Sequence, residues 1–207
     1  IQGADCCGEI VAVGDDIDIK RIGERVLVRT MQQYAVDYRP FECWTMGSEC
    51  DGAFAQYMVA FSDESYKIES NWSDIELASI PCAYSTAENL LERSNVKNSE
   101  VVLITGASGG VGSAAIQLAK RRGAKVIAIA SAEKINDVKK IGADTVIKRG
   151  ESLNGVLEAE SVDVVIDLVA GGQWAELLDV LKKGARYAAA GAIAGPIVEL
   201  DIRTLYL

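Results

Sequence analysis

Ser108, Gly109, Gly110 and Gly112 stand in one short run, Gly106-Ala107-Ser108-Gly109-Gly110-Val111-Gly112, and its chemistry is that of bare backbone. Glycine has no Cβ, so a chain of this kind turns sharply and lets a bulky anion approach its N–H groups. Where such a turn opens a helix, the free N–H groups of the first turn and the positive end of the helix dipole favour a pyrophosphate. Ser108, Gly109, Gly110 and Val111 are therefore candidate contacts to the phosphates of a dinucleotide.

That chemistry needs a strand before the turn and a helix after it, and the sequence supplies both. Val101–Thr105 is a short, apolar, β-branched run, as a buried parallel strand requires, and Gly110–Arg122 has helical spacing. A second strand, Lys125–Ala130, follows at once, and this succession makes the glycine pattern specific. A dinucleotide site without a 2′-phosphate usually ends its second strand in Asp or Glu, which bonds the ribose hydroxyls. Here the strand ends at Ala130 and Ser131, with Lys134 just beyond and Glu133 placed in the next helix. A small hydroxyl and a cation suit a 2′-phosphate, so Ser131 and Lys134 point to NADPH (NADP) as cofactor. Ser131 can also cap the helix that starts at Ala132, and the two roles are compatible.

The glycine run fits two frames. From Ala107 it reads A-x-G-x-x-G, the dinucleotide pattern with its first glycine replaced; from Thr105 it reads T-G-x-x-x-G-x-G, which resembles the short-chain dehydrogenases. That family needs a Tyr-x-x-x-Lys pair, and none of the seven tyrosines has lysine four residues on. The short-chain reading is rejected.

Composition narrows the rest. The chain has 207 residues, 49% hydrophobic, with a net charge of −9 and no long basic run, which argues against nucleic-acid binding through phosphates. No stretch of eighteen apolar residues suggests a membrane span. Five cysteines without framework spacing suggest a reduced, cytoplasmic setting. Cys6 and Cys7 read as small core residues, Cys82 as a buried thiol, and Cys43 with Cys50 as unrelated loop thiols. The absence of histidine removes Ser-His-Asp and Cys-His catalysis and any imidazole-built zinc site from this sequence.

The first half reads as β-rich, with strands at Glu9–Val13, Glu24–Val28 and Gly52–Val59 and a long loop over Thr30–Asp51. After a helix over Thr86–Arg93, strands and helices alternate. Thr145–Ile147, Val162–Asp167 and Ala185–Ala190 are further strands, and Ala132–Ile141 and Gly172–Lys182 further helices. Such a series implies a parallel sheet that binds its ligand at the strand C-terminal ends. The sheet is expected to be unfinished at Leu207, where an apolar run has just begun.

Gly3-Ala4-Asp5-Cys6-Cys7-Gly8-Glu9, Gly23-Glu24-Arg25-Val26, Gly52-Ala53-Phe54-Ala55-Gln56-Tyr57 and Pro81-Cys82-Ala83-Tyr84-Ser85-Thr86-Ala87 carry a family resemblance. So do Gly109–Lys120, Gly142-Ala143-Asp144 and Val162–Asp167. Together, in this order, they resemble the medium-chain dehydrogenase/reductases, in particular the zinc-free, quinone-oxidoreductase-like branch. The resemblance implies an α/β fold: a Rossmann-type doubly wound parallel sheet, residues 83–207, preceded by part of a β-rich GroES-like catalytic domain, residues 1–82. It implies that the chain is the middle of such a protein. It also implies Thr86 beside the nicotinamide, Leu168 and Val169 near the ribose, and Gly191 in a loop beside the ring. Tyr84 and Asp5 fall near the implied substrate pocket, yet neither is assigned as proton donor. Tyr34, Tyr38 and Trp44 either line that pocket or pack on the surface.

Zinc-dependent members carry His-Glu where this chain has Ala4-Asp5, a further ligand at the place of Cys82, and a four-cysteine lobe where only Cys43 and Cys50 occur. No metal is expected. The implied activity is hydride transfer from NADPH to a small-molecule quinone or α,β-unsaturated carbonyl, with a homodimer formed through sheet edges. An enoyl-reductase module of an acyl-chain synthase and a non-catalytic NADPH-binding protein are the alternatives.

Overall fold

The computed structural model describes residues 1–33 and 43–205. Tyr34 and Tyr38 lie outside the described residues. The contacts divide the chain into two compact units, Ile1–Ser85 and Thr86–Leu207.

The first unit is built on short antiparallel strands. β1 (Cys6–Glu9), β2 (Arg25–Val28) and a strand at Ser65–Lys67 form one sheet with β2 in the middle. Val26 and Val28, alternate residues of β2, are buried with Met46 beneath them. The strand expected at Glu9–Val13 is displaced to Cys6–Glu9, because its ladder ends where Glu9 faces Arg25. The expected loop Thr30–Asp51 contains a two-stranded pair, β3 (Met31–Gln33) with β4 (Cys43–Thr45), so Ser65–Lys67 is β5. The alternating stretch from Gly52 to Val59 forms no strand. Gly52, Ala53 and Phe54 donate N–H bonds to Ile1, Gly3 and Gln2, but Tyr57 and Val59 stand 75% and 96% exposed with no ladder to join. Cys6, Cys7 and Cys82 are half-buried, not core thiols.

One helix and the first turn of a second close this unit. α1 (Asp74–Ala78) starts in a reciprocal cap: Ser73 Oγ accepts the Glu76 N–H, and the Glu76 carboxylate accepts the Ser73 N–H at 2.8 Å. α2 (Pro81–Arg93) begins five residues before the expected Thr86. Pro81 occupies its first position, where no N–H is needed, and the Asp5 carboxylate accepts the Cys82 N–H at 2.7 Å. The division between the units falls inside α2.

The second unit is a five-stranded sheet. Its strands are β6 (Val101–Ile104), β7 (Lys125–Ala130), β8 (Thr145–Lys148), β9 (Val162–Asp167) and β10 (Leu181–Ala189), all paired in parallel. Their order is β10-β9-β6-β7-β8. Val102, Leu103 and Ile104, with Val164, Val165 and Ile166 beside them, are completely buried. Both faces of these central strands are covered, which is why their sequence reads as unbroken apolar runs. α3 (Gly110–Arg121) packs Ala114, Ala115, Ile116 and Ala119 inward and ends on Lys120 and Arg121, which complement its dipole. α4 (Ile135–Lys140) follows a 3-10 turn at Ala132–Lys134. α5 (Trp174–Asp179) stops short of the expected Lys182, because Leu181 already pairs with Val162. β10 therefore starts four residues earlier than expected and passes a register shift before Arg186, around Gly184 at φ 75°. Among the described residues no helix is long and apolar enough to cross a membrane.

Candidate dinucleotide site

In an open parallel sheet, ligands bind beyond the strand C-termini at the point where the strand order reverses. Here that point lies between β6, which leads on to β7, and β9, which leads on to β10. The glycine-rich turn leaves β6 on one side of it, and the turn Leu168–Ala170 leaves β9 on the other.

Ala107 is buried under this turn, while Ser108, Gly109 and Gly110 are exposed. Gly109 is the N-cap of α3 and has no side chain to satisfy the helix, so the N–H groups of the first turn are free for an anion. Gly112 is buried and must stay small, because a Cβ there would stand 2.7 Å from the Ala107 Cα. Gly109 is different. A Cβ at that position meets nothing nearer than the Gly106 oxygen, at 3.4 Å, so the space before it is open.

At the tip of β7, Ser131 takes the N-cap position by its backbone, but its hydroxyl makes no cap bond. Its partner is Glu133, whose carboxyl is held below the usual range by its own backbone N–H and then by the Ser131 hydroxyl, with Arg149 and Lys148 adding attraction. A carboxylate therefore does stand at this tip, because a tight 3-10 turn brings Glu133 back over Ser131. Lys134 is exposed, with Nζ 3.5 Å from Asp137. Arg149 joins the cluster from the next strand: its N–H donates to the Ala130 oxygen at 2.7 Å. Sequence reading missed Arg149, since only the pairing of β7 with β8 brings it to Ala130.

Across the switch point, Leu168 and Val169 are half-buried and lie against the glycine turn; a Cβ on Gly106 would come within 3.1 Å of Val169 Cγ2. Gly191 lies so close to Leu168 that a Cβ there would be 2.7 Å from the Leu168 carbonyl carbon. Thr86 and Ala188–Ala190 line one cavity of about 500 Å³, together with Arg93 and Arg186. The structure thus brings Ser108–Val111, Leu168, Val169 and Gly191 to one end of the sheet. Ser131 and Lys134 stand at the tip of β7, and Thr86 beside the end of β10.

Among the described residues the donors do not make up a zinc site. Asp5 is engaged with the Cys82 N–H, Ala4 offers no ligand, and the chain has no histidine. Among the described residues no group of three or more His, Cys, Asp or Glu could hold a metal ion.

Residues 110–207 match the zinc-binding dehydrogenase family, and residues 1–70 match the alcohol dehydrogenase GroES-like domain. The chain is 30% identical over 204 residues to acryloyl-coenzyme A reductase of Metallosphaera sedula, covering 93% of this chain and 60% of that protein. A crystal structure of a candidate alcohol dehydrogenase from Sinorhizobium meliloti is 45% identical, with a TM-score of 0.90 over 100% of this chain and 58% of its own. The quinone oxidoreductase of Coxiella burnetii is 28% identical, with a TM-score of 0.78 over 99% of this chain and 65% of its own. The chain therefore spans about 60% of the length of the relatives it matches. A GroES-like segment followed by a parallel sheet that opens on a glycine-rich turn is the build of one superfamily, and this chain belongs to the medium-chain dehydrogenase/reductases.

Proposed function

We propose that this protein is an oxidoreductase that uses NADPH to reduce a quinone or an α,β-unsaturated carbonyl without zinc. The observation that carries the reading is the switch point itself, where an uncapped helix N-terminus and the Leu168–Ala170 turn flank the reversal of strand order. In this reading Ser108, Gly110 and Val111 hold the pyrophosphate through their backbone N–H groups, while Gly109, whose own N–H donates to the Gly106 oxygen at 3.0 Å, lets it come close. Ser131, Lys134 and Arg149 hold the 2′-phosphate, and Thr86, Leu168, Val169 and Gly191 border the nicotinamide half. Residues 1–82 serve as a catalytic domain and residues 83–207 as the cofactor domain.

A reduced nicotinamide held by Thr86, Leu168, Val169 and Gly191 would supply the hydride for an electron-poor carbon. The chain's own residues orient the two reactants and keep water out. A quinone or a conjugated carbonyl takes the new charge on its own oxygen, so the substrate needs no Lewis acid. Similarity to a quinone oxidoreductase and to an acryloyl-coenzyme A reductase supports this substrate class.

Glu133 favours a second cofactor reading. A carboxylate beside Ser131 can bond the ribose hydroxyls of NADH, whereas Lys134, Lys148 and Arg149 favour the extra phosphate of NADPH. The cations Lys134, Lys148 and Arg149 around Glu133 support NADPH as the cofactor in this reading. The test is reduced-cofactor consumption by the full-length protein, with a quinone and an enone as acceptors, before and after treatment with a strong chelator. Consumption of NADPH faster than NADH, unchanged by the chelator, is expected. Loss of turnover together with bound zinc would restore an alcohol-dehydrogenase mechanism.

A further inference from the structure

Asp167, the last residue of β9, is completely buried. Among the described residues, each group bonded to its carboxylate is a donor. Thr105 Oγ1–H donates at 2.5 Å and the Tyr187 hydroxyl donates beside it. The Val169 N–H donates at 2.9 Å, and the Ala170 N–H lies 3.1 Å from each oxygen. Thr105 Oγ1 in turn accepts the Leu168 N–H at 2.8 Å. Burying a carboxylate is costly unless hydrogen bonds replace water, and here they do. Burial and then the bond to Asp167 push the Tyr187 hydroxyl up, so it remains a donor.

These bonds go to the ends of three strands. Thr105 follows β6, Tyr187 belongs to β10, and Leu168, Val169 and Ala170 form the turn after β9. The turn is not relaxed. Ala170 sits at φ 54°, ψ −147°, a region almost reserved for glycine, and the Asp167 carboxylate grips its N–H with both oxygens. The Val169 carbonyl then accepts the Ala194 N–H at 2.9 Å, so the loop after β10 is tied to the same turn.

Sheet order assigns this turn its half of the ligand. With pyrophosphate on the turn after β6, the adenosine half goes to the tip of β7, where Ser131 and Lys134 stand. The other half must cross to the β9 side. From this geometry we infer that Asp167 is a positioning residue for the nicotinamide half of the dinucleotide, acting through the Leu168–Ala170 turn without touching the ligand. The inference rests on the dinucleotide reading above.

Two ligands separate this from a general structural role: NADPH, and adenosine 2′,5′-bisphosphate, which carries only the adenosine half. In the full-length protein Asp167→Asn turns one acceptor into a donor facing the Ala170 N–H. It should weaken NADPH about tenfold while leaving adenosine 2′,5′-bisphosphate unchanged. Thr105→Val leaves the carboxylate in place but removes the acceptor of the Leu168 N–H, and it should give the same selective loss should the Asn variant fail to fold. Unchanged NADPH affinity in a folded variant, or equal loss of both ligands, would overturn the role of Asp167 while the site stands. Failure of the unsubstituted protein to bind either ligand would instead remove the dinucleotide reading, and this inference with it.

Discussion

Glu133 and Lys134 are neighbours in sequence and pull cofactor choice in opposite directions. Lys134 is exposed and tied only loosely to Asp137, so its charge is available to a phosphate. Lys134→Ala should weaken NADPH about tenfold and leave NADH nearly unchanged, measured by titration of each cofactor. Equal weakening of both would show that Lys134 does not read the phosphate. Glu133→Gln should shift preference further toward NADPH, because it deletes the anion that competes for Ser131, Lys148 and Arg149. Gly109 offers a cleaner probe. Its backbone is extended, at φ −79°, ψ 173°, and a Cβ makes no contact closer than the ordinary one of 3.4 Å to the Gly106 oxygen, so Gly109→Val should keep the melting temperature and abolish cofactor binding. A marked loss of stability would mean that the glycine serves the fold and not the ligand. The place of Ser131 and Lys134 at the tip of β7 was legible in the sequence, because counting from the glycine turn reaches the end of the second strand. Arg149 was not, nor was the Thr105–Asp167 bond, since each depends on which strands lie side by side.

Elements announced themselves in proportion to how fully they are buried. β7 and β9 have the bounds expected from their apolar runs, because strands covered on both faces leave no other reading. The alternation in Gly52–Val59 showed that one face could be buried, but a ladder also needs a partner, and none pairs with it among the described residues. α1 went unread although Ser73 and Glu76 carry the signal of a capped helix start; at five residues it is too short to show periodicity. Ser73→Ala should cost about 1 kcal/mol, readable by denaturant unfolding. The turn after β9 makes the opposite prediction. Ala170→Gly relieves a backbone that alanine adopts only at a cost, and it should stabilise the protein by about 1 kcal/mol. No gain would mean that the turn relaxes in solution.

At the scale of the whole molecule, the N-terminal ends of the parallel strands are held by carboxylates, and this gives stability a pH dependence. Burial alone would raise Asp163, but Lys182 at 2.7 Å and the Val101 N–H at 2.8 Å hold it below its ordinary 3.8. Glu100 likewise lies below its ordinary 4.5, because Arg186 and the Lys97 N–H outweigh its burial. Groups depressed in the folded state stabilise it above their unfolded values and lose that contribution as pH falls through the folded ones. Stability should therefore be level above about pH 5 and drain below it, and Asp163→Asn should flatten the acid limb of the unfolding curve. β10 lies at the sheet edge, nine residues long, with its outer side unpaired among the described residues. An edge of that length invites pairing, so light scattering on the full-length protein should report a dimer; a clean monomer would remove that assembly.

NADPH is expected to bind beyond the strand ends at the switch point between β6 and β9. Calorimetric titration of the full-length protein with NADPH, alongside its Gly109→Val variant, tests it most directly. One saturable site per chain, tighter for NADPH than for NADH, and no binding in the folded variant are expected. Absence of NADPH binding in the unsubstituted protein, or undiminished binding in the variant, would contradict it.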